Sequence, residues 1–325
     1  MARYLVTGAA GFIGSHLSRD LLDRGHEVSG VDAFTDYYER ELKEANLASV
    51  AKRADFTFVE LDLADAELEE LFDGADGVFH LAAQAGVRGS WGATFSLYAR
   101  DNVIVTQRVF EAAARLGLRV VWASSSSVYG NAESYPTPEE TPPRPVSPYG
   151  VTKLCCEQLA GAYAESRGLE HVALRYFTVY GPRQRPDMAF TRIARALGGG
   201  AKFTVFGTGE QSRDVTYVAD AVAATVAAME RGSAGAVYNV GGGSETSLRE
   251  AIAIAERLSG RSLDARYDVV AVGDVRRTSA DTSRARRELD WQPRVSLEEG
   301  LRAQLAWAGV DDVDDPAAVG VQDSV

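Results

Sequence analysis

Residues 3–14, Arg3-Tyr4-Leu5-Val6-Thr7-Gly8-Ala9-Ala10-Gly11-Phe12-Ile13-Gly14, decide the fold. Arg3–Thr7 reads as a buried strand. It runs into three glycines spaced G-x-x-G-x-x-G, and a helical pattern follows over 14–24 with Gly25 at its end. Glycines in such a turn let the backbone approach a pyrophosphate closely. The helix N-terminus then offers that anion unpaired N–H groups and a positive dipole end. The spacing is one residue longer than the G-x-G-x-x-G fingerprint, so the strand–turn–helix context carries the reading. Gly8, Ala10, Gly11, Phe12, Ile13 and Gly14 are candidate cofactor contacts. Asp32 closes the next strand. A carboxylate there accepts hydrogen bonds from an adenosine ribose and repels a 2′-phosphate, which favours NAD over NADP.

Outward from this motif, short apolar β-branched runs alternate with helical patterns. Strands are expected at 27–32, 56–61, 77–81, 119–123 and 171–176, and long helices at 103–116 and 149–167. This alternation predicts an α/β fold, a Rossmann-type doubly wound parallel sheet covered on both faces. The proline-rich stretch 136–148 is expected to be extended loop. Beyond residue 180 the chain is richer in glycine, with helices at 218–231, 248–259 and 297–307. The division expected is a dinucleotide-binding domain over 1–175, to which about 213–235 returns, and a smaller interleaved α/β substrate-binding lobe over 176–308. The acidic tail 309–325 has few core residues and is expected to be disordered.

The 325 residues carry 34 lysines and arginines against 46 aspartates and glutamates, a formal charge of −12. That balance argues against nucleic-acid or anionic-membrane partners, which need a basic footprint. No apolar run approaches the roughly 20 residues of a membrane span. The N-terminus enters a strand without the pattern of a signal peptide. Cys155 and Cys156 are the only cysteines, so no disulfide framework is expected and a reducing cytoplasm is the simplest home. The histidines at 16, 26, 80 and 171 lack metal-ligand spacing, and no metal is expected.

Tyr149-Gly150-Val151-Thr152-Lys153 opens a helix, and residues four apart share a helical face. A phenol with an ordinary pKa near 10 is a poor base at neutral pH. A neighbouring ammonium and an oxidised nicotinamide would stabilise its phenolate, and Tyr149 could then take a proton from a substrate hydroxyl as hydride leaves the carbon. Ser124-Ser125-Ser126-Ser127 follows a strand, at the end of the sheet where α/β proteins bind ligands. A turn or helix cap would use serines equally well.

These three motifs, in this order, resemble the extended short-chain dehydrogenase/reductase family of sugar-nucleotide-modifying enzymes over residues 2–308. The resemblance implies that Asp62-Leu63 lies against adenine and that His80-Leu81-Ala82-Ala83, with Gln84, lines the cofactor. It further implies that Asn102 of Asp101-Asn102 shapes the central helix, and that Ser124, Tyr176 and Val179 also face the cofactor. In the family the catalytic hydroxyl stands four residues before the tyrosine of a Val-Tyr-Gly sequence, here Val128-Tyr129-Gly130. That picks Ser125, to act with Tyr149 and Lys153.

Members of the family share oxidation of a sugar C4 hydroxyl and diverge afterwards. A 4,6-dehydratase carries an Asp-Glu pair after the catalytic hydroxyl, where this chain has Ser126 and Ser127. A UDP-glucuronate decarboxylase carries a glutamate at the position of Ser127. The default is therefore epimerisation with tightly bound, recycled NAD. The segments Phe177-Thr178-Val179-Tyr180-Gly181-Pro182, Arg185-Pro186-Asp187-Met188 and Ala83-Gln84-Ala85-Gly86-Val87-Arg88 resemble UDP-glucuronate 4-epimerases.

A uronate carboxylate calls for charge-assisted, bidentate donors, and Arg185 is the first choice, helped by Thr178, Ser126 and Ser127. By the same resemblance Arg213 and Arg276 would hold the diphosphate and Phe206 would pack on uracil. Val205, Gln211, Asp274 and Arg88 would complete the substrate site with Ser125 and Tyr149. Gly89 stands where relatives often carry tyrosine, which weakens the case at Arg88. The alternatives are a UDP-glucose or UDP-N-acetylglucosamine 4-epimerase, a decarboxylase or dehydratase, and a non-catalytic nucleotide-sensing scaffold. A homodimer is expected through the helices 103–116 and 149–167.

Overall fold

The computed structural model describes residues 1–199, 202–269 and 273–310. The strands in chain order are β1 (Arg3–Thr7), β2 (Glu27–Asp32), β3 (Phe56–Glu60), β4 (Gly77–His80), β5 (Val120–Ser125), β6 (His171–Tyr176), β7 (Thr178–Tyr180), β8 (Phe203–Phe206), β9 (Ser212–Tyr217), β10 (Ala236–Val240), β11 (Glu245–Ser247) and β12 (Ala265–Asp268). Seven of them form one parallel sheet in the order β10-β6-β5-β4-β1-β2-β3. The order reverses between β1 and β4, and ligands of doubly wound sheets bind beyond the strand ends at that point.

Helices cover both faces. On one side Leu17 and Leu21 of Phe12–Asp23 and Val222 and Val226 of Val218–Arg231 share a core with Val6, Phe79 and Leu174 of the sheet. On the other, Val109 and Phe110 of Val105–Leu116 and Cys156 and Ala160 of Pro148–Arg167 pack on Leu5, Val78 and Trp122. All of β4 and β6 is buried, as an inner strand of a two-sided sheet requires.

The chain crosses between the lobes more than once. After β6 it builds a small sheet in the order β11-β9-β7 and a β12–β8 pair. Between these it returns as helix Val218–Arg231 and edge strand β10, so the returning segment runs over 218–240. The smaller lobe has its own core around Tyr180, Phe190, Ile193, Phe203 and Leu301. Val310, inside the tail expected to be disordered, is buried in that core, and 311–325 lie outside the described residues.

Three local features differ from the expectation. The first helix begins at Phe12, because Gly11 already has the extended geometry of its N-cap. The helix expected at 103–116 is preceded by a wide π-turn, Ala99–Ile104, which runs directly into Val105–Leu116. Helices also form at Arg40–Leu47, Ala189–Leu197 and Ser283–Leu289. The first of these buries only Lys43, Asn46 and Leu47, too little apolar surface to leave a periodic signal.

Candidate active site

A cleft of about 680 Å3 lies between the lobes at the carboxyl ends of the central strands. Gly8, Gly11, Phe12, Ile13 and Gly14 form its floor. Its glycines have no room for side chains. A Cβ at Gly14 would lie 2.0 Å from the Gly8 carbonyl oxygen, and one at Gly8, where φ is +71°, would lie 2.8 Å from Ala82 N. No side chain caps helix Phe12–Asp23 and no acid sits in its first turn, so its N–H groups stay free for an anion. Ala10 is buried beneath the floor and donates its N–H to Asp32 Oδ2 at 3.2 Å. Asp32 also accepts from Phe34 N–H at 2.9 Å. Burial raises its carboxyl above the usual range, while those N–H groups and the Lys43 charge act the other way. The bare turn, the uncapped helix and this carboxylate fit a pyridine dinucleotide.

Asp62, Leu63, Leu81, Ala82, Ala83 and Gln84 also line the cleft. Asn102 does not line it but shapes its wall. Its Oδ1 accepts from Gln84 N–H at 2.8 Å, and its Nδ2 donates to Gln84 O at 3.1 Å and to Thr152 Oγ1 at 3.0 Å. His80 is buried behind that wall, bonded to Thr7 Oγ1 at 2.8 Å and Thr106 Oγ1 at 3.0 Å. Burial, helped by the charge of Lys153, pushes its imidazole down to about 3.

Tyr149 and Lys153 stand one turn apart at the start of Pro148–Arg167. Ser147 Oγ caps that helix by accepting Gly150 N–H at 3.1 Å, and Pro148 occupies its first turn. The buried ammonium of Lys153 donates to Ala123 O at 2.8 Å, which ties the helix to β5. Ser124 and Ser125 end that strand. Ser124 Oγ donates to Glu157 at 2.6 Å, whereas Ser125 Oγ accepts Ser127 N–H at 3.1 Å and donates to none of the described residues. The Tyr149 ring meets Tyr98 edge-on, with centroids 6.3 Å apart. A phenol, a hydroxyl and an amine thus line one cavity, a set able to exchange a proton with a bound alcohol.

Further along, Ser126, Ser127, Tyr176, Thr178, Val179, Arg185, Phe206 and Gln211 complete the wall. Arg185 donates Nε and Nη2 to the two carboxylate oxygens of Asp187 at 3.1 and 3.2 Å. Arg88 pairs with Asp274 at 2.7 Å and lies 4.2 Å from the Phe206 ring centroid. Gln211 Nε2 donates to Phe206 O at 2.9 Å.

Arg213 lies in an adjoining pocket of about 130 Å3 with Ser126, Ser127, Thr178 and Asp274. Val205 points into the core of the smaller lobe, since alternate residues of β8 face opposite ways and Phe206 takes the cleft side. Arg276 is exposed and lines neither cavity. It is held through its backbone, its N–H donating to Asn131 Oδ1 at 3.3 Å and its carbonyl accepting Ser212 N–H at 3.1 Å.

The structure adds residues with no signal in the sequence. Lys43 is buried beside Asp32, donates to Thr35 O at 2.7 Å and sits 5.0 Å from the Tyr38 ring centroid. Tyr38 OH, on the same wall, is buried with no hydrogen-bond partner among the described residues. Behind the serines, Glu157 accepts two bonds from Arg175, which also donates to Tyr129 OH at 2.8 Å and Glu139 O at 3.0 Å. Among the described residues no cluster of histidine, cysteine or acidic side chains could hold a metal, and no helix is long and apolar enough to cross a membrane.

The profile of the NAD dependent epimerase/dehydratase family matches residues 4–241, and the chain belongs to that family. It is 42% identical over 307 residues to an uncharacterised UDP-glucose epimerase of Bacillus subtilis, covering 94% of this chain and 97% of that one. It is 37% identical to a UDP-glucuronate 4-epimerase of Thermodesulfobacterium geofontis, covering 95% and 96%. The crystal structure of a Bacillus cereus UDP-glucuronic acid 4-epimerase with UDP-glucuronic acid and NAD superposes with a TM-score of 0.91 at 42% identity, over 94% of this chain and 99% of that one. The protein is an isomerase, an NAD-dependent epimerase of the extended short-chain dehydrogenase/reductase type.

Proposed function

We propose that the enzyme inverts C4 of a UDP-sugar through a 4-keto intermediate, and that the sugar is glucuronate, so that UDP-glucuronate and UDP-galacturonate interconvert. The observation carrying the choice of sugar is Arg185. Its guanidinium lines the same cleft as Tyr149, and its Nη1 makes no hydrogen bond to any described residue. A planar cation with free N–H groups matches a carboxylate. The likeness to the T. geofontis and B. cereus uronate epimerases supports the same sugar.

NAD, when bound, supplies the hydride acceptor and then the donor. Tyr149, acting as a phenolate beside the Lys153 ammonium, takes the proton from the C4 hydroxyl and becomes a phenol. Ser125 donates its proton to the same oxygen and keeps the C4–O bond polarised. The keto sugar then turns over, and Tyr149 returns the proton as the opposite face is reduced. No net redox change occurs, so the cofactor stays bound and is recycled.

The intermediate is a β-keto acid able to lose carbon dioxide. Arg185, with Thr178, Ser126 and Ser127, holds the carboxylate so that its scissile bond is out of line with the keto π system. The second reading is UDP-glucose as substrate, favoured by the name of the B. subtilis relative. Exposed Leu116 and Val151, with Ile104 in the turn that runs into the first helix, fit a homodimer packed through the two long helices.

Incubating the purified enzyme with UDP-glucuronate and following the sugar C4 proton by NMR tests the reading. The axial-hydroxyl isomer is expected. Turnover of UDP-glucose with none of UDP-glucuronate would overturn it.

A further inference from the structure

Arg185 is held on one edge only. Asp187 takes its Nε–Nη2 side and leaves Nη1 and the second proton of Nη2 directed away from that carboxylate. Asp187 is itself held by the other lobe. Tyr37, in the loop between β2 and helix Arg40–Leu47, donates its hydroxyl to Asp187 Oδ2 at 3.2 Å. The Tyr37 ring lies 5.5 Å from the Arg185 guanidinium, within reach of a cation–π attraction. The Tyr37 hydroxyl is also packed against Gly86, where a Cβ would come within 2.7 Å of it. Three segments therefore meet at one point: the loop that follows Asp32, the loop after β4, and the 183–188 loop of the smaller lobe.

We infer that Tyr37 and Asp187 are positioning residues that set the plane of the Arg185 guanidinium and turn its free edge toward the sugar's acid group. The inference rests on the uronate reading above and deepens it. A flexible arginine loses rotamer freedom when it grips a ligand, and a guanidinium already clamped on one edge loses less. The clamp also spans the cleft, so the loop that follows Asp32 and the loop that carries Arg185 are joined before substrate arrives. A neutral hexose makes no use of that orientation.

The test uses the NAD-loaded enzyme in a Tyr149→Phe background, so that titrants are not converted during calorimetry. Dissociation constants for UDP-glucuronate and UDP-glucose are compared with and without Asp187→Asn and, separately, Tyr37→Phe. Their ratio cancels any uniform loss from misfolding. It is expected to shift against UDP-glucuronate by about fivefold in Asp187→Asn, the scale of one charge-assisted bond in a half-exposed site, and by less in Tyr37→Phe. A ratio that stays level, or moves in favour of UDP-glucuronate because Asp187 competes for Arg185, overturns the inference. Turnover of UDP-glucuronate by the unsubstituted enzyme is read separately and decides the uronate reading alone.

Discussion

Glu157 and Arg175 form an ion pair at 2.7 Å with side chains only 7% and 5% exposed. Glu157 stands on the helix of Tyr149 and Lys153, and Arg175 stands on β6 beside the serine strand. The pair ties the helix that supplies the phenol and the amine to β6, the neighbour of the strand that supplies the hydroxyl. Its remaining polar atoms are satisfied by Ser124, Tyr129 and the Glu139 carbonyl, as a buried charge pair requires.

Glu157→Gln leaves a guanidinium charge buried without its partner. The expected cost is about 3 kcal/mol of folding stability, read from urea unfolding. Glu157→Gln combined with Arg175→Met removes both charges and is expected to recover part of that loss. Equal stability in the single variant and the parent would contradict this account.

Tyr149→Phe keeps the ring and its edge contact with Tyr98 and removes only the hydroxyl. Turnover is expected to fall about a hundredfold to ten-thousandfold, the range for loss of a positioned general base. Thermal unfolding of the variant is expected to stay close to that of the parent. A kcat within tenfold of the parent would mean another group takes the proton.

His80 sets a pH dependence with a definite sign. Its folded-state pKa, about 3, lies below the ordinary value of 6.5, so the unfolded chain binds the proton more readily. The stability this confers is fully present above about pH 6.5 and is lost as pH falls toward 3. Between pH 6.5 and 5 the parent is expected to lose about 2 kcal/mol more than His80→Asn. Parallel stability curves for the two proteins would rule out His80 as the source.

Arg185→Ala removes the group assigned to hold the uronate carboxylate. The expected products from UDP-glucuronate include a UDP-pentose and carbon dioxide, found by mass spectrometry of the reaction mixture. Unchanged epimerisation with no pentose would count against both the clamp and its protective role. Thr178→Val is expected to show the same leak to a smaller degree.

Much of the site was legible because its parts are local. Gly8, Gly11 and Gly14 lie within one turn, and only a backbone without side chains fits where a Cβ would stand 2.0 Å from a carbonyl oxygen. Tyr149 and Lys153 share a face through helix geometry alone. Other parts resisted. Val205 and Phe206 are neighbours on β8, yet only the sheet's orientation told which of them faces the cleft. Lys43 sits on a helix whose buried face is too small to leave a periodic pattern.

The sequence by itself determined the parallel α/β architecture, the dinucleotide turn and the pairing of phenol with amine. Each depends on spacings of a few residues, which backbone geometry converts directly into positions. Only the tertiary structure decided that Glu157 meets Arg175, that Arg276 stays outside both cavities, and that Tyr37 reaches Asp187 from 150 residues away. Contacts of that range depend on which strands become neighbours and how two lobes close on each other. That is settled by packing over the whole chain, and no short stretch of it records the outcome.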